Sequence, residues 1–213
     1  MNGDFPIQLS DPSFQFRRII NGVRLYASPT GDSVELHAFN LPPDLPPARA
    51  GIASLRQRYR DLTGQVRGAI VEVEVVEIDR VQSVWTILKI PQQPTGMTYM
   101  GSITVPFQSC SFVVKTVCQE VGMTGMRDTI VFAKMRQEGQ VTLTDAGAEG
   151  WMADPYDPSL TTGLCRNLSE DPQHDSSFPD HPLSRARRNL AALAAGIQLD
   201  PSLHHLPGFG RWV

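Results

Sequence analysis

The residues best suited to chemistry lie close together in one loop of the C-terminal third. The loop contains two histidines and two aspartates: His174, Asp175, Asp180 and His181. Neutral imidazole and carboxylate are ordinary metal ligands. No two histidines stand four residues apart, the spacing that places both on one face of a helix. We therefore expect no metal and no cofactor, and these four residues remain the candidates for a metal site. An enzyme or a small-ligand binder using this loop is the alternative interpretation.

Nucleophile and phosphate chemistry are not indicated by any motif. Cys110 and Cys118 alternate with apolar residues on one strand, which predicts burial as small hydrophobic side chains. A catalytic thiol needs a nearby base, and His37 is the only histidine in the first two-thirds of the chain. The patterns GxxxxGK, GxGxxG and GxSxG are absent. We predict no catalytic residue, and the chain is more consistent with a non-enzyme.

Composition and charge exclude several classes of protein. The 213 residues are 41% hydrophobic and 19% charged, enough apolar material for a folded core. The net charge of −3 argues against nucleic acid as a partner. No apolar run approaches the roughly 18 residues that a membrane helix requires, and no signal peptide is visible. The three cysteines have no CxxC spacing. We expect a soluble cytoplasmic protein without membrane insertion.

The elements that must position these residues begin with a predicted four-stranded meander. Its strands are rich in Val, Ile, Thr and aromatic residues and are separated by short turns, which indicates antiparallel neighbours. Upstream, Val23–Ser28 pairs with Val34–Asn40, and Phe14–Ile20 could add another strand across the Asn21-Gly22 turn. The predicted strands of the meander are Gly68–Asp79, Val81–Ile90, Met97–Val105 and Cys110–Cys118.

The alternation of residues in the first meander strand predicts a sheet with one face buried and the other exposed to solvent. Val71, Val73 and Val75 alternate with Glu72 and Glu74, so we expect the valines to face helices and the glutamates to face water. The sheet would then have about six strands with helices packed on it. This is an α+β fold.

Three helices are predicted from their apolar spacing. Ala48–Leu62 ends near Gly64, and Gly122–Gln137 begins near the candidate cap Thr124. The third helix, Pro182–Ile197, would be capped by Asp180 or His181, with Pro182 in its first turn.

The composition changes after residue 144. Residues 14–144 would form the α+β sheet domain, and residues 145–213 a Pro- and Asp-rich extension packed on it. The extension carries nine acidic and five basic residues. Arg185, Arg187 and Arg188 cluster in its helix and are candidates for contact with an acidic partner. Trp85 and Tyr99 in the meander are further candidates for partner binding, since exposed aromatic residues mark protein interfaces.

The order of hairpin, proline-rich break, helix, meander and closing helix over residues 14–140 resembles the PsbP-like fold. The extension, with FPDHPLSRARR at residues 178–188, looks like additions seen in uncharacterised bacterial proteins. The resemblance rests on topology, and no functional residue of the family maps onto this chain. It implies a non-catalytic domain that binds another protein, as an adaptor or a chaperone-like accessory domain. A homo-oligomer, for instance a homodimer through an open sheet face, is a further alternative.

Overall fold

Thirteen strands and three α-helices follow one another along residues 5–212, the part of the chain that the computed structural model describes. The strands are β1 Ile7–Leu9, β2 Gln15–Ile20, β3 Val23–Ala27, β4 Ser33–Phe39, β5 Ala69–Ile78, β6 Val81–Pro91, β7 Met97–Pro106, β8 Ser111–Gln119, β9 Thr142–Thr144, β10 Gly147–Glu149, β11 Met152–Ala153, β12 Arg166–Asn167 and β13 Ile197–Leu199. The helices are α1 Gly51–Gln65, α2 Met126–Gln137 and α3 Pro182–Gly196.

Seven of these strands form one antiparallel sheet in the order β2-β3-β4-β8-β7-β6-β5. The four meander strands lie side by side, and β4 joins them by pairing with β8. The predicted α+β class and antiparallel sheet are therefore confirmed, with seven strands where about six were expected. Asn21 and Gly22 both have positive φ, at 50° and 80°, as a type I′ turn requires, so β2 pairs with β3.

Helix α3 packs on one face of the sheet, over β7 and β8. Its apolar stripe is fully buried, with Leu183, Leu190 and Leu193 inaccessible to solvent. Gly101 in β7 lies beneath this helix: a Cβ atom at Gly101 would stand 2.6 Å from Leu190 Cδ1. A side chain at this position would push the helix away, so the glycine permits the close approach.

Helix α1 packs on the other face, against β5. Leu55 and Tyr59 form a second apolar cluster with Val73, Val84 and Trp212. The expectation that helices cover a single face is therefore wrong, because the extension supplies one covering helix and residues 51–65 the other.

A β-bulge between Ile70 and Glu72 changes the side-chain alternation of β5. Val71 belongs to the apolar cluster under α3, whereas Val73 lies in the cluster under α1. The prediction that Val71, Val73 and Val75 share one face is wrong for Val71, since the extra residue of a bulge shifts the pleat.

The helix boundaries differ from the predictions by a few residues. Helix α1 continues through Gly64 and ends at Gln65, and α2 begins after Gly125, whose φ of 73° turns the chain into the helix. Thr124 does not cap α2; its hydroxyl bonds Thr95. Helix α3 begins at Pro182 as predicted, with His181 as its cap.

Short pairings complete the chain. Strand β1 pairs with β13, β9 with β10 and β11 with β12, each in a two-stranded sheet. Among residues 5–212 no helix is both long and apolar enough to cross a membrane.

Candidate functional site

The loop that carries the predicted chemistry is anchored by a buried arginine of α2. Arg127 is 1% exposed. Its Nε donates to the Ser169 carbonyl at 2.6 Å, and its Nη1 donates to Asp175 Oδ1 at 3.0 Å and to the Ser184 hydroxyl at 2.9 Å. Through this hydrogen bond, Asp175 holds the loop between α2 and α3 in place.

The arginines of α3 are also engaged within the chain. Arg187 donates to Glu72 Oε1 at 2.6 Å and to Asp175 Oδ1 at 2.9 Å. Arg185 donates to both carboxylate oxygens of Asp32, at 3.0 to 3.2 Å. Arg188 is exposed and donates to the Pro179 carbonyl. Of the three arginines predicted to meet a partner, Arg188 is therefore the one that faces solvent.

A second buried group joins the extension to the sheet. Glu170 is 0% exposed and accepts hydrogen bonds from Lys89 Nζ at 2.7 Å and from the Tyr99 hydroxyl at 2.7 Å. The Asn167 backbone N–H donates to the same carboxylate at 2.8 Å. A buried ion pair needs such extra hydrogen bonds to offset its desolvation.

This arrangement corrects part of the prediction for the sheet aromatics. Tyr99 is 2% exposed and its hydroxyl is used by Glu170, so its ring cannot belong to a docking surface in this fold. Trp85 is half-buried, and its Nε1 donates to Glu72 Oε2 at 3.1 Å.

His181 is a neutral helix cap. Its Nδ1 accepts the Leu183 backbone N–H at 3.2 Å, and its ring meets Tyr99 edge to face at 5.5 Å between centroids. Burial lowers the pKa of His181 to about 3, with Arg127 and Arg185 acting in the same direction. Because Nδ1 accepts, the ring proton sits on Nε2.

The other loop residues do not converge on His181. His174 is buried, burial lowers its pKa, and its Nε2 has no partner within the described residues. Asp180 is exposed, and its carbonyl accepts a hydrogen bond from Arg185. In the described part of the chain no three His, Cys, Asp or Glu side chains form a group that could hold a metal ion.

The buried thiol of Cys118 is held in its protonated form. Burial raises the pKa of Cys118 to about 12, and the charge of Asp32 acts in the same direction. A nucleophilic cysteine needs the opposite shift. Neither this thiol nor the His181 imidazole is arranged to exchange protons near neutral pH.

The two edges of the main sheet differ in a way that the sequence patterns did not indicate. At the β5 edge, the Val73 N–H donates to the Tyr156 hydroxyl at 2.6 Å, and Arg56 Nε donates to the Val73 carbonyl at 3.3 Å. Side chains thus bind backbone groups that an edge strand would otherwise present to another chain.

The β2 edge is open. Every residue of β2 is exposed, including Phe16 at 55% and Ile19 at 58%. Arg17 and Arg18 lie between them, and neither has an ion pair within residues 5–212. Arg17 is the extra residue of a bulge in the pairing with β3. The sequence feature that could have indicated this surface is a pair of arginines flanked by Phe and Ile, in a strand next to an Asn-Gly turn.

Comparison of the sequence with family models and with curated proteins finds no match.

Proposed function

We propose that this chain is a non-catalytic protein-interaction domain that binds an extended segment of a partner along β2. The observation that carries the proposal is the asymmetry of the sheet edges, one bound by side chains at Val73 and the other open along residues 15–20. An open edge strand can accept a further strand through its backbone groups, while its side chains select the sequence that binds.

The chemistry of the partner follows from the side chains of β2. Phe16 and Ile19 supply apolar contact area, and Arg17 and Arg18 supply positive charge. Opposite charges on neighbouring strands stabilise a pair, and like charges destabilise it. The favoured partner segment is therefore extended, apolar and acidic. The bulge and the two arginines also discourage indiscriminate pairing with neutral strands.

The same charges disfavour the homodimer alternative at this edge. Antiparallel pairing of β2 with a second copy, centred on Arg17 and Arg18, would place guanidinium groups opposite each other. The PsbP-like resemblance is consistent with an accessory domain, and it stays a proposal.

Selection of peptides from a random display library tests this function. We expect the selected peptides to combine acidic and apolar residues and to shift backbone amide resonances of residues 15–20. The double variant Arg17→Glu/Arg18→Glu should weaken the binding of such a peptide by at least about tenfold, since two charge-assisted contacts become repulsive. Arg188→Glu is the matched control, because Arg188 is an exposed arginine in α3.

Equal affinity of the double variant and the wild-type chain would overturn the proposal. A loss caused by Arg188→Glu alone would instead place the partner on α3. Light scattering at working concentration should give a monomeric mass.

One observation favours the small-ligand alternative. Residues 177–182 and the region before α2 enclose a cleft of about 440 Å³, within the size range of ligand pockets. His181 and the exposed Met123 and Met126 contribute to its lining. Methionine-rich walls adapt to ligands of different shape. Amide shifts confined to residues 120–127 and 177–185 in the peptide experiment would support this alternative.

A further inference from the structure

A second candidate binding surface lies at the β5 edge of the main sheet, opposite the β2 edge. A cleft of about 500 Å³ opens between the C-terminal end of α1, the start of β5 and the loop before β12. Three arginines and one aspartate contribute its charged lining: Arg60, Arg67, Arg166 and Asp154. We infer that this cleft binds a small anionic ligand that also has an apolar part.

The charges of the lining are not balanced. Arg60 is held by Asp154 through two hydrogen bonds of 2.8 and 2.7 Å, so these two charges offset each other. Arg166 makes one longer ion pair, 3.3 Å, with Asp171, which does not line the cleft. The buried Nε of Arg166 has no hydrogen-bond partner among the described residues. Arg67 is exposed and has no ion pair among residues 5–212. The cleft therefore carries a net positive charge that suits an anion.

The backbone of the α1–β5 turn places Arg67 at the cleft. Arg67 has a left-handed φ of 53°, a region that favours glycine, and yet the residue carries a long basic side chain there. Its N–H donates to the Gly64 carbonyl at 3.2 Å, and the Gly68 N–H donates to the Thr63 carbonyl at 2.8 Å. The next residue cannot carry a side chain, because a Cβ at Gly68 would lie 2.6 Å from the Lys89 carbonyl oxygen. The turn is thus fixed in place with a guanidinium group at its tip.

The opposite wall of the cleft includes Thr162 and Gly163. Thr162 and Gly163 lie in an exposed turn, and Gly163 has a φ of 78°. Their backbone N–H groups make no hydrogen bond within the described residues. Successive N–H groups in a turn with one left-handed residue bind anions.

Apolar residues form much of the remaining lining. Ile70 and Cys165 are buried, and Leu164 is half-buried. Burial raises the pKa of the Cys165 thiol, which therefore stays protonated and presents an uncharged wall. An apolar body against these residues would leave a carboxylate, sulfonate or phosphate group beside the arginines. The structure of the cleft is independent of the β2 edge.

Fluorescence titration of the full chain with 8-anilinonaphthalene-1-sulfonate tests this inference, because the probe joins an aromatic body to a sulfonate. We expect a saturable site in the wild-type chain whose affinity for the probe is at least about tenfold weaker in Arg67→Glu. Arg211→Glu is the matched control, since Arg211 is exposed and lines a different cavity. It should change the dissociation constant less than about twofold.

Two further measurements make the outcome decisive. Thr162→Trp places a large side chain at an exposed position of the lining and should block the probe without altering the core. Competition with inorganic pyrophosphate or with octanoate distinguishes a phosphate group from a carboxylate as the preferred anion. Unchanged probe affinity in both Arg67→Glu and Thr162→Trp, with wild-type circular dichroism, would overturn the inference and leave the proposed partner site at β2 unaffected.

Discussion

Lys89 Nζ and Glu170 Oε2 lie 2.7 Å apart inside the protein, and the two residues are 1% and 0% exposed. The pair joins β6, the strand next to the β5 edge of the sheet, to the 3₁₀ turn at Leu168–Glu170 in the extension. Removing one charge of such a pair leaves the other buried without a counterion, and this is more costly than losing the pair at a surface.

We expect Glu170→Gln to lower the free energy of unfolding by about 3–5 kcal/mol. Urea denaturation followed by circular dichroism measures the change. Glu138→Gln is the control, because Glu138, directly after α2, forms an exposed pair with Lys134 at 3.9 Å, and the change should cost less than about 0.5 kcal/mol. Equal losses in the two variants would show that the buried pair contributes no more than a surface pair.

The contact between Gly101 and Leu190 predicts a destabilising effect for a side chain at Gly101. Gly101→Val should destabilise the fold by about 1–3 kcal/mol, because its side chain overlaps Leu190 in α3. Adding Leu190→Ala should cost less in the Gly101→Val background than in the wild-type chain, since it removes the overlap. Urea denaturation of the single and double variants measures both changes.

Gly64→Ala is the matched comparison for Gly101→Val. Gly64 lies inside α1, and a Cβ atom added there would meet no atom within 4 Å, so alanine should stabilise the helix by about 0.5–1 kcal/mol. Additive effects of Gly101→Val and Leu190→Ala would argue against direct contact between the two residues.

The pH dependence of stability should carry a contribution from His181. Its pKa falls from the ordinary 6.5 to about 3 in the folded chain. Between these values the unfolded chain binds a proton that the folded chain does not, so stability falls as the pH decreases from 6.5 towards 3. The slope from this one group approaches about 1.4 kcal/mol per pH unit.

His181→Asn should flatten this slope while preserving the helix cap, because asparagine is also a good cap. Melting temperatures of the variant and the wild-type chain, taken at several values between roughly pH 3.5 and pH 6.5, provide the measurement. His205→Asn serves as an exposed control. Parallel curves for His181→Asn and the wild-type chain would contradict the assignment of a neutral, buried imidazole.

The fold can be predicted from the sequence wherever one local sequence pattern specifies the backbone conformation. The Asn21-Gly22 turn and the helix after Pro182 are both predictable from residues whose backbone requirements are specific. The distribution of the β5 side chains over the two faces of the sheet is not predictable in this way. The bulge at Val71 carries no clear sequence signal, and it reverses the alternation of side chains on one side of it.

The site is harder to predict than the fold, since charged residues find partners that are distant in sequence. Arg187 and Glu72 are 115 positions apart, yet they lie 2.6 Å apart between Nε and Oε1. The sequence predicts β2 as a strand, but its exposure depends on which strand occupies the end of the sheet. That order is set by the pairing of β4 with β8, which are neighbours in the sheet although β5, β6 and β7 lie between them in the sequence.

The position of α3 has a consequence for synthesis on the ribosome. Helix α3 covers β7 and β8, and β1 pairs with β13, which follows α3 directly. Contacts between segments so distant in sequence slow folding and leave apolar surface uncovered in the meantime. The sheet face of Ile103 and Val114 therefore stays open until residues 182–199 have left the exit tunnel. A nascent chain halted before Leu183 lacks the helix that covers this face, and it is the form that most needs protection from aggregation.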